Sequence, residues 1–403
     1  MAALESIPMS TSNVLEALTS SHALPKGWQT VRFDQMAESI TDRVDNPAEA
    51  DVSYYVGLEH LDPESLHIRR WGVPTDVEAT KLRFQPGDII FGRRRAYQRK
   101  LAVAEFEGIC SAHALVLRAR EETVLKEFLP FLMQSDAFFE RAMSISVGSL
   151  SPTINWKTLA RQEFVLPPKD EQRRIAEILW AADEAIVSWQ NTIRQIEDAK
   201  STYRHSIFDD CKYWKTATVD DLFEVQLGKM LSPQARHGHS PKPYLGNSNV
   251  QWGRFDLTDV KEMDFDEEEF SKFSLKQGDL LVCEGGEVGR SAIWQGEIAD
   301  CCFQKAVHRL RPTSNQLLPE IMLQFMFYAA SSGVFAGLTG HSTIAHLTAV
   351  KLRTLKVTVP PMDVQAKMTN AFSGFEASIQ FLQDHTTANK MLKRDLLRHL
   401  LGH

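Results

Sequence analysis

VLPPKDEQRRIAEIL (Val165–Leu179) is the stretch on which the fold turns, because it returns in altered form as TVPPMDVQAKM (Thr358–Met368), 193 residues later. Upstream, FQPGDIIF (Phe84–Phe91) recurs as LKQGDLLV (Leu275–Val282), displaced by 191, and YVGLEHL (Tyr55–Leu61) as YLGNSNV (Tyr244–Val250), displaced by 189. GSLSPTINWKTL (Gly148–Leu159) matches GHSTIAHLTAVKL (Gly340–Leu352) with one residue gained. So small a drift means two copies with the same element order and spacing. Units of this size are too large for a solenoid repeat and read as a duplicated domain pair.

A long helix follows each Pro-Pro. Apolar residues fall at Ile175, Leu179, Ala182, Ile186, Trp189, Ile193, Ile196, Tyr203 and Ile207, with Lys200 at the one interrupted position. The equivalent positions of the second copy are Met368, Phe372, Phe375, Ile379, Leu382, Thr386, Asn389, Leu396 and Leu400, and Lys200 maps onto Lys393. Steps alternating three and four mark a coiled-coil seam. Proline is tolerated where a helix begins, and Asp170 and Glu171 suit the positive end of its dipole. A helix over Asp170–Phe208 would be about 58 Å long. Two such helices would pair within the chain, the polar Thr386, Asn389 and Lys393 weakening the seam while fixing its register. The alternative is that each helix packs on its own globular half.

Each remaining stretch reads as α+β. Strands are expected at Asp88–Phe91, Leu101–Ala104, Leu115–Leu117, Leu280–Cys283 and Ser291–Trp294, and buried helices at Glu127–Met133 and Pro319–Tyr328. The chain divides into an N-terminal segment (1–23), a globular domain (24–168), a helix (169–210), a second globular domain (211–360) and a second helix (361–403). Within the first segment only a possible helical turn at Val14–Leu18 stands out.

Composition sets outer limits. A chain of 403 residues with 43% hydrophobic and 24% charged residues is ordinary for a soluble protein and can bury ample core without disulfides. The cysteines (Cys110, Cys211, Cys283, Cys301, Cys302) form no C-x-x-C pair and no metal-ligand spacing, which fits a reducing compartment. The N-terminus lacks the pattern of a secretory signal, and Ile321–Ala330 is too short to span a bilayer, so a soluble cytoplasmic protein without membrane contact is expected. The net charge of −7 is unevenly placed. Arg83–Arg120 carries a balance of +5 and Asp259–Glu269 one of −6, the latter expected to be a solvated loop.

Catalytic motifs are missing. There is no G-x-x-x-x-G-K-[ST] phosphate loop, no H-E-x-x-H and no G-x-S-x-G. GGEVG (Gly285–Gly289) lacks phosphate-loop spacing and reads as a turn. The Pro-Pro pairs lack the Asn/Asp and aromatic neighbours of a site that holds a flipped base for methylation. His237, His239, His341 and His346 read as loop residues, and no metal site is expected.

The strongest positive signal is FGRRRAYQRKLAV (Phe91–Val103). It leaves one strand, presents Arg93, Arg94, Arg95, Arg99 and Lys100 around Tyr97, and returns as another. Guanidinium forks can clamp phosphate or read guanine bidentately, and crowded cations favour an anion. The alternative is a solubilising surface turn. The equivalent turn CEGGEVGRSAIW (Cys283–Trp294) keeps only Arg290 and gains Glu284 and Glu287. Further candidates in the second half are Lys229 in QLGKMLS, Asn249 in GNSNV, and Gln304 and Lys305 in FQKAVHRLR. Similar frames with different tips would let one chain read two sequences.

With the paired helix starts, the PGD and QGD strands, FGRRRAYQRK, QLGKMLS and FQKAVHRLR, the chain resembles the specificity subunit of type I restriction–modification systems, from about Leu24 to Leu401. The second helix start departs in carrying Val364 where the first has Glu171. The resemblance implies two target-recognition domains joined by an antiparallel helix pair with pseudo-two-fold symmetry, each reading half of a split double-stranded DNA target. It implies two docked methyltransferase subunits, with Glu171, Gln172, Ile175, Leu179, Gln365, Met368 and Phe372 on the partner-binding helices. S-adenosylmethionine, ATP and magnesium would belong to the methyltransferase and restriction/translocase subunits, and this chain would catalyse nothing. A specificity component of a related two-subunit (type IIB-like) enzyme and a DNA-independent coiled-coil scaffold are the other readings.

Overall fold

The structure is a computed structural model that describes residues 24–210, 213–232, 238–339 and 346–401. Val14–Leu18, Cys211, His237 and His341 lie outside them. The chain forms two compact units, residues up to 190 with those from 383 onward, and residues 191–382. The divisions fall inside the long helices, so each unit holds one globular domain, half of its own helix and half of the other.

In the first unit the central sheet runs Ala37–Ile40, Ala114–Ala119, Ile89–Gly92, Leu101–Val103, all antiparallel. A second sheet runs Arg43–Val44, Lys81–Phe84, Gly108–Cys110, Tyr55–Val56, and a ribbon pairs Gln29–Arg32 with Glu163–Leu166. The second unit repeats the plan. Its central sheet runs Phe223–Leu227, Val307–Pro312, Leu280–Cys283, Ser291–Ile293, and its ribbon pairs Lys215–Thr218 with Lys356–Val359. The register is conserved between copies: Ile89 opposes Leu117 as Leu280 opposes Leu310. Helices follow at Leu129–Gln134 and Pro319–Ser331, where apolar runs led them to be expected.

The repeated motifs are fasteners. Asp88 of PGD is buried and takes both forks of Arg118, with Nε to Oδ1 at 2.7 Å and Nη2 to Oδ2 at 2.9 Å. Asp279 of QGD does the same with Arg311, both at 2.7 Å. Each carboxylate also accepts from the amide three residues earlier, Gln85 N at 2.8 Å and Lys276 N at 2.7 Å. The fork ties the turn before one strand to the strand beside it, and bidentate geometry sets their offset.

The long helices run Lys169–Asp209 and Met362–Leu401, starting directly after each Pro-Pro. Gln172 and Gln365 are buried at equivalent places. Gln172 Oε1 accepts from Leu125 N at 2.8 Å while its Nε2 donates to Pro167 O at 2.8 Å. Gln365 Oε1 accepts from Leu318 N at 2.9 Å and its Nε2 donates to Pro360 O and Gln316 O, each at 2.8 Å. One amide thus satisfies a helix entry and a loop that would otherwise bury unpaired groups, each costing about 1–3 kcal/mol. Ile175 and Leu179 lie in the core of the first unit, Met368 and Phe372 in that of the second. This corrects their expected part in partner binding on the helices: apolar side chains this deep are taken up inside their own unit. Glu171 alone of that set stays at the surface, paired with Arg174.

Beyond these first turns the helices pair antiparallel, as expected. In the first unit Asp183 meets Lys393, and Trp189 stacks on His385 with centroids 5.6 Å apart. In the second, Lys200 meets Glu376, and Tyr203 packs on Phe372 at 5.3 Å. The lysine that interrupts each seam therefore faces a carboxylate, and the two ion pairs are equivalents in the repeat. They differ in burial: Asp183 and Lys393 are 5% and 6% exposed, Lys200 and Glu376 12% and 59%. Among the described residues no helix is long and apolar enough to cross a membrane.

His67 completes the buried pair. Its Nδ1 lies 2.6 Å from Glu105 Oε1, and its Nε2 lies 2.8 Å from Asp183 Oδ2. The second approach is off the hydrogen-bond axis and acts as an ion pair. Arg69 bonds to the same Glu105, and Trp180 lies edge-on to the imidazole. Asp183, then Glu105, hold the His67 pKa above its ordinary value against the opposing effect of burial. A histidine whose folded pKa is raised stabilises the fold fully below its unfolded pKa, about 6.5, and loses that contribution as pH rises through the folded value. Urea denaturation of the native chain should therefore show stability declining as pH rises above about 6.5, a decline absent from His67→Gln. Parallel pH profiles for the two would contradict the assignment.

Candidate nucleic-acid interface

The arginine-rich tip leaves the strand at Gly92 and returns at Leu101, closed by Gly92 N to Lys100 O at 2.9 Å. Between them Ala96–Gln98 form one 3-10 turn, flanked by Arg95 at φ 55° and Arg99 at φ 51°. Ala96 plugs into the core beneath, which pins the turn from inside. The five cations are then sorted by direction. Arg99 Nη1 bonds Asp136 Oδ1 at 2.6 Å and its guanidinium lies over Phe139, so Arg99, with Arg398, holds the Asp136 carboxyl below the usual range. Lys100 Nζ donates to Leu58 O at 2.7 Å. Arg93 Nη2 donates to Ala112 O at 3.0 Å. These three brace the tip.

Arg94, Arg95 and Tyr97 face outward. Arg94 is held in place without being covered: its Nε donates to Ser151 Oγ at 2.9 Å and its Nη1 lies 3.3 Å from His113 Nε2. A guanidinium can only donate, so the contact is a hydrogen bond when the imidazole is neutral. Burial, then Arg94 and Arg93, push the His113 pKa down, in keeping with this. Arg95 has no side-chain partner among the described residues, and Tyr97 is 55% exposed.

A second loop completes this surface and was not singled out in the sequence. Val147 and Thr153 exchange both backbone hydrogen bonds, at 3.0 and 2.9 Å, closing a small loop that Gly148 enters at φ 107°. That loop is fastened to the tip by Arg95 N to Pro152 O at 2.8 Å and Ile154 N to Arg93 O at 2.9 Å. Leu150 at its crest is 94% exposed. The available signal was the recurrence of GSLSPTINWKTL in both halves, which marked the segment as part of the frame without saying what it carries.

The second unit has the same joint, Leu347 N to Glu284 O at 2.7 Å. Where the first tip carries Arg93, Arg94 and Arg95, the frame-equivalent positions hold Glu284, Gly285 and Gly286. Gly286 has φ 75°, so the backbone turn is shared while its side chains are not. Several candidates here are committed inward, which corrects their assignment. Lys229 Nζ bonds Asp264 O at 2.6 Å and Glu269, over the Phe265 ring. Asn249 is buried: its Oδ1 accepts from Gly246 N at 2.9 Å and its Nδ2 donates to Asp256 O and Asp259 O at 2.9 and 3.1 Å. Arg290 Nη2 donates to Asn247 O at 2.7 Å. Lysine and amide groups with every strong partner already supplied by their own fold have little left to offer a ligand.

Gln304 and Lys305 do sit at the surface beside Glu284, half-buried and exposed respectively, and Glu284 N bonds Ala306 O at 2.9 Å. Gly228 permits this turn, since a Cβ there would lie 2.4 Å from the Gln304 carbonyl carbon. The acidic run Asp259–Glu269 is not the solvated loop expected. It forms the strand Lys261–Asp264 and the start of helix Glu267–Phe273, with Met263 and Phe265 buried, Asp266 capping the helix through Glu269 N at 2.8 Å and Asp264 accepting from Ser240 N at 2.7 Å. Alternating buried apolar residues inside the charge run carried that information.

Arg95 marks the tip most sharply. A non-glycine residue in the left-handed region costs about 1–2 kcal/mol, and glycine occupies the equivalent place in the second unit. Arg95→Gly should therefore raise thermal stability by up to about 1 kcal/mol after the greater unfolded-state freedom of glycine is allowed for. Arg95→Ala, which keeps the Cβ, should give no such gain. A loss with glycine would mean that the arginine side chain supports the fold.

The comparisons with known proteins follow the same division. The family model described as type I restriction modification DNA specificity domain matches twice, at residues 25–198 and 212–388. The EcoDI specificity subunit of Escherichia coli is 28% identical over 189 residues, covering 44% of this chain and 40% of that one. The EcoKI specificity subunit of Escherichia coli K12 is 23% identical over 233 residues, covering 52% and 49%. The chain thus spans half or less of the length of these two relatives. The chain assigned as the MjaX specificity subunit of Methanocaldococcus jannaschii is 20% identical over 413 residues, covering 94% and 93%. Among solved structures, a chain of a type I restriction–modification system aligns with TM-score 0.62 at 18% identity, covering 94% of this chain and 99% of that one. The S subunit from M. genitalium aligns at 0.55 and 15%, covering 93% and 96%. These two show the fold. With the specificity domain carried twice, the chain belongs to the family of type I restriction–modification specificity subunits.

Proposed function

We propose that this chain reads the two halves of a bipartite double-stranded DNA target, one with each unit. The observation that carries the proposal is the exchange of side chains on a shared backbone turn: Arg93, Arg94 and Arg95 in one unit against Glu284, Gly285 and Gly286 in the other. A frame copied faithfully while its exposed tip changes charge is what two different base sequences would require.

In the first unit Arg94 and Arg95 are the base-reading candidates, since a guanidinium pairs bidentately with guanine in the major groove. Tyr97 adds a packing face, while Arg93, Arg99 and Lys100 hold the tip and supply positive field. In the second unit Gln304 can pair with adenine and Glu284 can accept from cytosine N4, with Lys305 placed to meet phosphate. The chain's net charge of −7 leaves little general attraction to DNA, so binding partners would complete the clamp. The surface of the paired helices is the docking site for two methyltransferase subunits in this reading. Glu171 is half-buried at the surface at the start of one helix, and its equivalent Val364 makes the two docking faces unequal. S-adenosylmethionine, ATP and magnesium would act on those and the restriction subunits, in the cytoplasm.

The test is a half-site comparison. Arg94→Ala should weaken binding to the intact target by about 1–3 kcal/mol. It should lose nothing further on a duplex whose first-unit half-site is scrambled, and keep full discrimination at the other half. Equal loss on unrelated duplexes would assign Arg94 to phosphate, and unchanged binding throughout would remove this tip from the interface.

A further inference from the structure

The loop beside the first-unit tip presents apolar side chains that the reading above leaves unused. Leu150 is 94% exposed, and Val147 beside it 67%. Neither is held out by chance of a loose loop: residues 147–153 are closed on themselves by the paired Val147–Thr153 hydrogen bonds and tied to the tip at Pro152. Ser151, the residue after Leu150, is bonded through its hydroxyl to Arg94. A bare leucine is thereby presented at a fixed offset from two outward arginines.

We propose that Leu150 is a specificity-determining residue that packs on the 5-methyl group of a thymine in the first half-site. The inference rests on the DNA-reading role proposed above. Its occupant follows from the chemistry of the surface. The exposed Arg94 and Arg95 beside it suit a polyanion better than an apolar protein surface. Within the major groove the thymine methyl is the one apolar group that the bases present, and aliphatic side chains are its complement. A leucine at this place costs the fold nothing and contributes nothing to its core, so its consequence is in what it contacts.

Replacing thymine by deoxyuridine deletes that methyl and nothing else. The full chain, assembled with its co-expressed methyltransferase subunits, would be titrated with duplexes in which each thymine of the first half-site is replaced in turn, for the native protein and for Leu150→Ala. Loss of one methyl contact corresponds to about a fourfold weakening. One substitution should cost the native protein about fourfold. Leu150→Ala should already show a comparable loss on the natural duplex and no further loss on that one substituted duplex. If Leu150→Ala and the native protein respond alike to every substitution, or no substitution weakens the native protein, or the half-site contains no A·T pair, the inference is overturned while half-site reading stands. If the native complex shows no preference for the first half-site, the DNA-reading role fails and this inference with it.

Discussion

The exit of each long helix from its domain depends on the buried glutamine at its start. Gln172 and Gln365 each join three pieces of chain: the helix entry, the prolyl carbonyl before it and the loop ahead of the neighbouring domain helix. A side-chain amide has two donors and a two-lone-pair acceptor, which is why one residue can serve all of these at once. The helix therefore leaves the domain from a defined place, and the Asp88–Arg118 and Asp279–Arg311 forks fix the sheet to which that place belongs. With the frame held from within, the exposed tips are free to differ.

The helix seam uses charge for a different purpose. A lysine buried opposite a carboxylate gains little net stability, because removing both ions from water offsets most of their attraction. It does disfavour other registers, since sliding the helices would leave each buried lysine, and Asp183 in the first unit, without its partner. Both copies keep this device, Lys393 with Asp183 and Lys200 with Glu376, although only the first is deeply buried and joined by His67. The polar interruptions that look like weak points in the seam are what make it specific.

Much of the fold was legible in the sequence. The repeat offsets, the three-four spacing and the strand runs placed both long helices and the main strands to within a few residues. The site was less legible, for a physical reason. The residues that recur between the copies recur because they hold the frame: Gln172, Gln365, Ile175, Leu179, Met368 and Phe372 are buried, where the family resemblance implied a partner-binding helix. Within the second half Lys229, Asn249 and Arg290 could not be separated from Gln304 and Lys305 by residue type, because donors look alike until their partners are known. Leu150 escaped attention since one apolar residue in a polar loop carries no periodic signal.

The central claim is that two equivalent frames read two different half-sites. Sequencing the methylated bases of an unmethylated host that co-expresses this chain with a type I methyltransferase subunit tests it most directly. One new split motif is expected, methylated on adenine in both halves, with an unspecified gap between them. A continuous motif, or no new methylation from a complex shown to assemble, would contradict it.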